Sequence, residues 1–359
     1  MVEGGMLVAW RWPSGPAALR LGSAHTDSPG LRLKPRPERT AAGATSLAVE
    51  VYGGVLLHTW FDRALEIAGR VFDAEGAQHL VRLGSPRPVL PSLAIHLDRE
   101  VNEKGPQLNR EIHLAPLACL GPWELHEALA RAIGSEPMGF ELCLVDPAPP
   151  ELAGNGELLL SGRLDNLASC HALLAALTGL ETFAGWPAIA LFDGEEIGSE
   201  LSTGARSDTL AHLLERAAAA LGIDRAEWLS LLPRSIGLSA DMAHAVHPNH
   251  PGKHDLGNAP LLGRGPVLKT NAAYRYATDG RSAALLRTLA RDSGTPLQEF
   301  AMRADLACGS TVGPSLSSAF GMPVVDCGAP LLGMHSAREL MALSDQEDSI
   351  RLYRAFLGR

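Results

Sequence analysis

The chain has 359 residues, 46% of them hydrophobic and 20% charged, with a formal net charge of -9. That length exceeds one ordinary compact domain and predicts two, or one domain with a large insertion, while the composition excludes disorder. The negative balance, without any Lys/Arg block, argues against nucleic acid and anionic membranes as partners, though not against an acidic small substrate met by a local cation.

In chain order, the opening stretch MVEGGMLVAWRWPSG offers only a short apolar run without a basic flank, so no signal peptide is expected. No apolar stretch approaches the length of a membrane helix. The five cysteines are odd in number and scattered, with no CxxC pair, and read as buried reduced thiols. A cytoplasmic location is the expectation. The segment GSAHTDSPG (22–30) then carries His25 and Asp27. A carboxylate two residues after an imidazole can accept the ring proton and free the other nitrogen for a metal; an exposed loop histidine beside an Asx-turn is the plainer alternative.

Residues 38–158 change character. Short β-like runs punctuated by Gly and Pro predict a β-rich insertion, and DPAPPELAGNGE (146–157) reads as the return crossing. The remainder, 1–37 and 159–359, alternates helical patterns (168–180, 209–221, 282–291, 346–357) with apolar strands (188–192, 235–238, 323–325). This predicts an α/β catalytic domain whose central, mostly parallel sheet is flanked by helices.

Four further segments of that domain carry metal-ligand chemistry. Asp165 in RLDNLAS precedes a helical pattern and is either an N-cap or a carboxylate able to bridge two cations. Glu195 and Glu196 in FDGEEIGSE follow a buried run, where adjacent carboxylates repel and lose hydration unless a cation is near; a solvated turn is the alternative. Asp241 in SADMAHAVHPNH has His244, His247 and His250 close by, and His335 in GMHSARE is either a backbone-bonded core histidine or a ligand. Two divalent ions would be balanced by Asp165, Glu196, Asp241 and one hydroxide. Carboxylates with imidazoles suit zinc, or cobalt or manganese, and leave Glu195 free as a base.

The segments AHTDSP, RLDNLAS, GEEIGS, SADMAHAVHPNH, GSTVGP and MHSARE, in that order, resemble those of the aspartyl aminopeptidase family of dinuclear zinc metallopeptidases. VYGGVLLHTWFDRALEIAGRV resembles its insertion domain. The resemblance spans nearly the whole chain. Members usually carry a helical segment ahead of the strand leading to HTD, whereas here His25 arrives almost at once.

The resemblance implies two zinc ions per subunit. His25 and Asp241 would hold one, Glu196 and His335 the other, and Asp165 would bridge them, with a cis peptide bond between Asp165 and Asn166. It makes Glu195 the general base and Asp27 the residue that orients His25. It implies dimer contacts through the insertion and a homo-oligomer of dimers closed into a dodecamer, with His113 of EIHLAPLA reaching a neighbouring subunit's site. Lys269 of GPVLKTN would lie near the substrate pocket, where an ammonium could meet an acidic side chain. The implied activity is hydrolysis of the N-terminal peptide bond of small peptides, preferring Asp or Glu, by two-metal activation of water. A dizinc aminopeptidase with neutral preference, and a metal-stabilised scaffold without turnover, are the alternatives.

Overall fold

The computed structural model describes residues 1–359, the side chain of Glu3 excepted. The chain divides into two compact units: Met1–Ser28 with Pro150–Met334 and Glu339–Arg359, and Pro29–Pro149 with His335–Arg338.

The first unit is α/β. Strands Trp186–Phe192, Leu19–His25, Ile236–Ala240 and Val324–Gly328 lie side by side and parallel. Their residues are almost all buried, as apolar runs covered on both faces require. Met6–Trp10 joins one side antiparallel. On the other side Val267–Thr270 pairs antiparallel with Val324–Gly328 and parallel with Gln298–Ala301. The sheet is therefore mixed at its margins and parallel at its centre. One face packs under helices Leu164–Thr178, Gly280–Asp292 and Leu343–Gly358. The opposite face packs under Thr209–Ala220, Arg225–Leu231 and Gly313–Phe320. A second, five-stranded sheet brings Leu158–Ser161 against Glu339–Ala342.

The second unit is built on a six-stranded sheet, antiparallel throughout, in the order Gln78–Leu83, Glu66–Asp73, Pro137–Val145, Gly30–Ala41, Ala44–Tyr52, Leu117–Leu120. Its core includes Leu31, Leu47, Ile67 and Leu142 and is closed by helix Leu125–Ile133, whose Leu125 and Leu129 point inward.

Two expectations are corrected. The unit boundaries fall at 28/29 and 149/150 rather than 37/38 and 158/159. Strand Gly30–Ala41 pairs with Ala44–Tyr52 on both sides of a register shift between Leu33 and Glu38, so the residues before and after 37 belong to one sheet, while Glu151–Ala153 and Leu158–Ser161 pair with each other inside the first unit. His335–Arg338 also groups with the second unit: Ala337 sits in that unit's core and its amide donates to Thr59 Oγ1 at 2.9 Å. The cysteines are all free, but only Cys170 and Cys327 are buried.

Candidate active site

In the first unit the chemistry collects where the parallel strands end. His25 is the last residue of Leu19–His25 and lies in register with Phe192; Glu195 and Glu196 follow Phe192 by a few residues, and Asp241 immediately follows Ile236–Ala240. The carboxyl ends of parallel strands are where an open α/β sheet places its crevice.

The turn after Phe192 is set locally. Gly194 takes φ 73, a left-handed value that favours glycine, and a Cβ there would lie 2.6 Å from Leu201 Cδ1. It starts a single turn of 3₁₀ helix, Glu195–Ile197. The amides of Glu195 and Glu196 donate to the two carboxylate oxygens of Asp27, each at 3.1 Å. Asp27 thus grips the glutamate turn through its side chain. It meets His25 mainly through its backbone: Nδ1 of His25 lies 3.0 Å from the Asp27 carbonyl and 3.5 Å from its carboxylate. A donor at Nδ1 leaves Nε2 as the free nitrogen.

Asp165 is not a helix cap. It and Asn166 have non-helical backbone angles, and the bond between them is cis, as the resemblance implies. The Asp165 amide donates to Glu339 Oε2 at 2.9 Å, its carbonyl accepts from Ser28 Oγ at 2.7 Å, and Asn166 Nδ2 donates to the Ala240 carbonyl at 2.9 Å. Gly328 lets its strand pass against Asp241, since a Cβ at that position would overlap the Asp241 carbonyl.

Around Nε2 of His25 lie Asp165 Oδ1 at 3.5 Å, Asp241 Oδ1 at 3.8 Å and Glu195 Oε2 at 4.0 Å. His25, Asp165 and Glu196 each offer a ligand atom within 4.8 Å of the others. These groups are mostly buried; His25 is 2% and Asp165 3% exposed. Burial lowers the basicity of His25, but the neighbouring carboxylates of Asp165, Asp241 and Asp27 outweigh it and hold the imidazole well above its usual value. Burial pushes Glu195 up to about 8; His25 opposes the rise, while Asp241, Glu196 and Asp165 add to it. So much negative charge with so little water calls for a cation.

The donor set fits one. Oxygen and nitrogen ligands at ~2.0–2.2 Å in a tetrahedron stand roughly 3.4 Å from each other, too far for a good hydrogen bond between them. The 3.5 Å separation of His25 and Asp165 has that character.

His335 has φ 68 and its Nδ1 is 3.0 Å from the Gly54 carbonyl, within the second unit. His113, also in that unit, is exposed, accepts from the Asn109 amide at 3.0 Å, and lines a cavity of about 600 Å³ with His58, Phe61 and Asp98. Lys269 is only 2% exposed, and its Nζ lies 3.9 Å from Asp241 Oδ2. His247 and His250 pack ring against ring, and the His247 amide donates to His254 Nε2. The sequence pointed to no role for Glu339 or Ser28, and for Asn166 only to the cis bond. Glu339 ends the segment GMHSARE, yet nothing local distinguishes it from a surface glutamate.

A family model described as aminopeptidase I zinc metalloprotease (M18) matches residues 7–357. A probable M18 family aminopeptidase 2 of Streptomyces avermitilis is 41% identical over 96% of this chain and 83% of the relative. Aspartyl aminopeptidase 4 of Saccharomyces cerevisiae is 39% identical over 98% of this chain and 82% of the relative. The solved mApe1 dodecamer of S. cerevisiae superposes with a TM-score of 0.82, at 26% identity, over 98% of this chain and 82% of that one.

Proposed function

The chain belongs to the M18 family of zinc aminopeptidases, and from that membership we propose that it hydrolyses the N-terminal peptide bond of small peptides with two zinc ions per subunit, preferring Asp or Glu at the N-terminus. The observation that carries this reading is the meeting of His25, Asp165, Glu196 and Asp241 at the sheet's carboxyl edge, with Glu195 left beside them. His25 and Asp241 would hold one ion and Glu196 the other, with Asp165 shared between them. On the MHSARE motif alone, His335 would complete the second set. When bound, the ions supply a lowered pKa for water and charge to polarise the scissile carbonyl.

The chain's own residues do the rest. Glu195 Oε2 takes the proton of the attacking water and gives it to the leaving amine, a role open to the acid of the cluster that is not needed as a ligand. Asp27 keeps Glu195 and Glu196 at fixed positions through their amides. The acidic preference draws on the name of the yeast relative and on Lys269, the dodecamer on the solved yeast assembly, and the cytoplasmic location on the sequence.

The test is release of Asp, Glu, Leu and Lys from aminoacyl reporters, before and after chelation and with zinc or cobalt added back. Activity lost on chelation, restored by metal and highest on Asp or Glu is expected. Activity indifferent to metal sinks the mechanism, and a preference for Leu moves the protein to the neutral-residue alternative.

A further inference from the structure

The segments GSTVGP (309–314) and RYATD (275–279) are both tied to one buried carboxylate, that of Asp326 in strand Val324–Gly328. Its Oδ1 accepts from Thr311 Oγ1 at 2.5 Å and its Oδ2 from the Ala277 amide at 2.6 Å, while its own amide donates to Thr278 Oγ1 at 2.9 Å. Gly313 makes room for it, since a Cβ there would lie 2.6 Å from Oδ2. Both oxygens receive donors, as a carboxylate's do, and a buried carboxylate needs a cation.

That cation is Lys269, which stands opposite Asp326 on the antiparallel neighbour Val267–Thr270 and is itself buried. Burial pushes the Asp326 carboxyl up, against the pull of Lys269 and the Thr311 hydroxyl. The same carboxylate sets what surrounds the ammonium. Ala277 directly follows Tyr276, whose ring centre is 5.0 Å from Lys269 Nζ, and Nζ also donates to the Met242 carbonyl at 3.1 Å. Asp241 Oδ2 faces Nζ at 3.9 Å, but in the proposed dizinc site the charge of Asp241 is shared with metal. Asp326 is the acid left to balance the lysine.

We infer that Asp326 is the positioning residue behind the acidic preference: it holds Lys269 and the Tyr276 loop in the geometry in which the ammonium meets an acidic side chain of the substrate. The inference rests on the proposed role of Lys269 at the substrate. Asp326 itself, fully buried between Thr311 and Ala277, acts only through these neighbours.

Asparagine at this position keeps the size of the side chain but removes its charge, and it sets an NH₂ donor against the Thr311 hydroxyl or the Ala277 amide, which also donate. Lys269 then loses its counter-charge and the loop one of its ties. An acidic substrate, which uses the ammonium, suffers more than a neutral one.

The experiment measures kcat and KM of wild type and Asp326→Asn on Asp and Leu aminoacyl reporters, with zinc content by elemental analysis. The Asp-over-Leu ratio of kcat/KM is expected to fall about 10–100-fold in the variant, the scale on which displacing a group that orients substrate costs an enzyme. The fall is carried by KM for the Asp reporter, and zinc is retained. Should Asp326→Asn not fold, Thr311→Val, which takes one donor from the same carboxylate, is held to the same criterion. A ratio equal to that of wild type, or a loss of kcat shared by both reporters, overturns the inference and leaves Asp326 a structural tie. Loss of zinc from the variant overturns it too, because Asp326 then acts on the metal cluster. A wild type with no preference for Asp over Leu overturns the acidic reading on which the inference stands.

Discussion

Asp27 shows how one side chain can give two neighbours different work. By taking the amides of Glu195 and Glu196 on separate oxygens, it fixes a turn that projects both acids beside His25. Replacing Glu195 by Gln is expected to lower turnover by about two to four orders of magnitude while two metal ions stay bound, checked by steady-state kinetics and elemental analysis. Asp27→Ala removes both acceptors and frees the turn. Metal retention is expected to weaken about 10–100-fold, the usual effect of losing a residue that orients ligands, read by competition with a chelating dye. Retention at the wild-type level in Asp27→Ala would mean the turn is rigid without its clamp.

At the scale of elements, every group around Nε2 of His25 is delivered by the end of a strand or the start of a helix, so rigid elements set the spacing of the cluster. Helix Leu343–Gly358 makes a further tie. Asp345, in its first turn, accepts from the Gly263 and Gly265 amides at 2.8 Å each. Burial nevertheless raises this carboxyl to about 6, the two amides pulling the other way. A carboxyl whose pKa is higher folded than unfolded favours the folded state while protonated. That contribution is complete below its ordinary value near 3.8 and is lost as pH rises through about 6. Chemical denaturation from pH 3 to 8 is expected to show wild type losing stability relative to Asp345→Asn between about pH 4 and 7, with a constant difference outside that window. A difference flat across the whole range contradicts the burial argument.

For the whole molecule, the proposed assembly makes a prediction no single subunit can meet. If His113 serves a neighbour's site, His113→Ala and Glu195→Gln assemblies are each impaired, but co-assembled subunits regain activity wherever an intact Glu195 meets an intact His113. Refolded mixtures assayed after size-exclusion chromatography test this. Mixtures no more active than the sum of their parts confine His113 to its own subunit. Among the described residues no helix is long and apolar enough to cross a membrane.

Much of this was legible in the sequence because the signals are local. Apolar runs and alanine-rich periodicity located three of the four central parallel strands, though not Leu19–His25, and helices Leu164–Thr178, Thr209–Ala220, Gly280–Asp292 and Leu343–Gly358 within a few residues, since burial on a sheet or against one constrains residue type directly. Residue chemistry and motif order alone singled out His25, Asp165, Glu196 and Asp241. Other facts needed the folded chain. Asp165 owes its orientation to Glu339, which is 174 residues away. The true edge of the β-rich unit lies at 28/29, ahead of the proline-bearing strand Gly30–Ala41, which no pattern marks as strand. The resemblance expects Lys269 near the substrate pocket, but that the sheet buries it beside Asp241 needed the folded chain. Composition and spacing determine which groups a chain can offer. Which of them share a dry, low-dielectric space, and so feel each other's charge, is decided only when distant strands pair and exclude water.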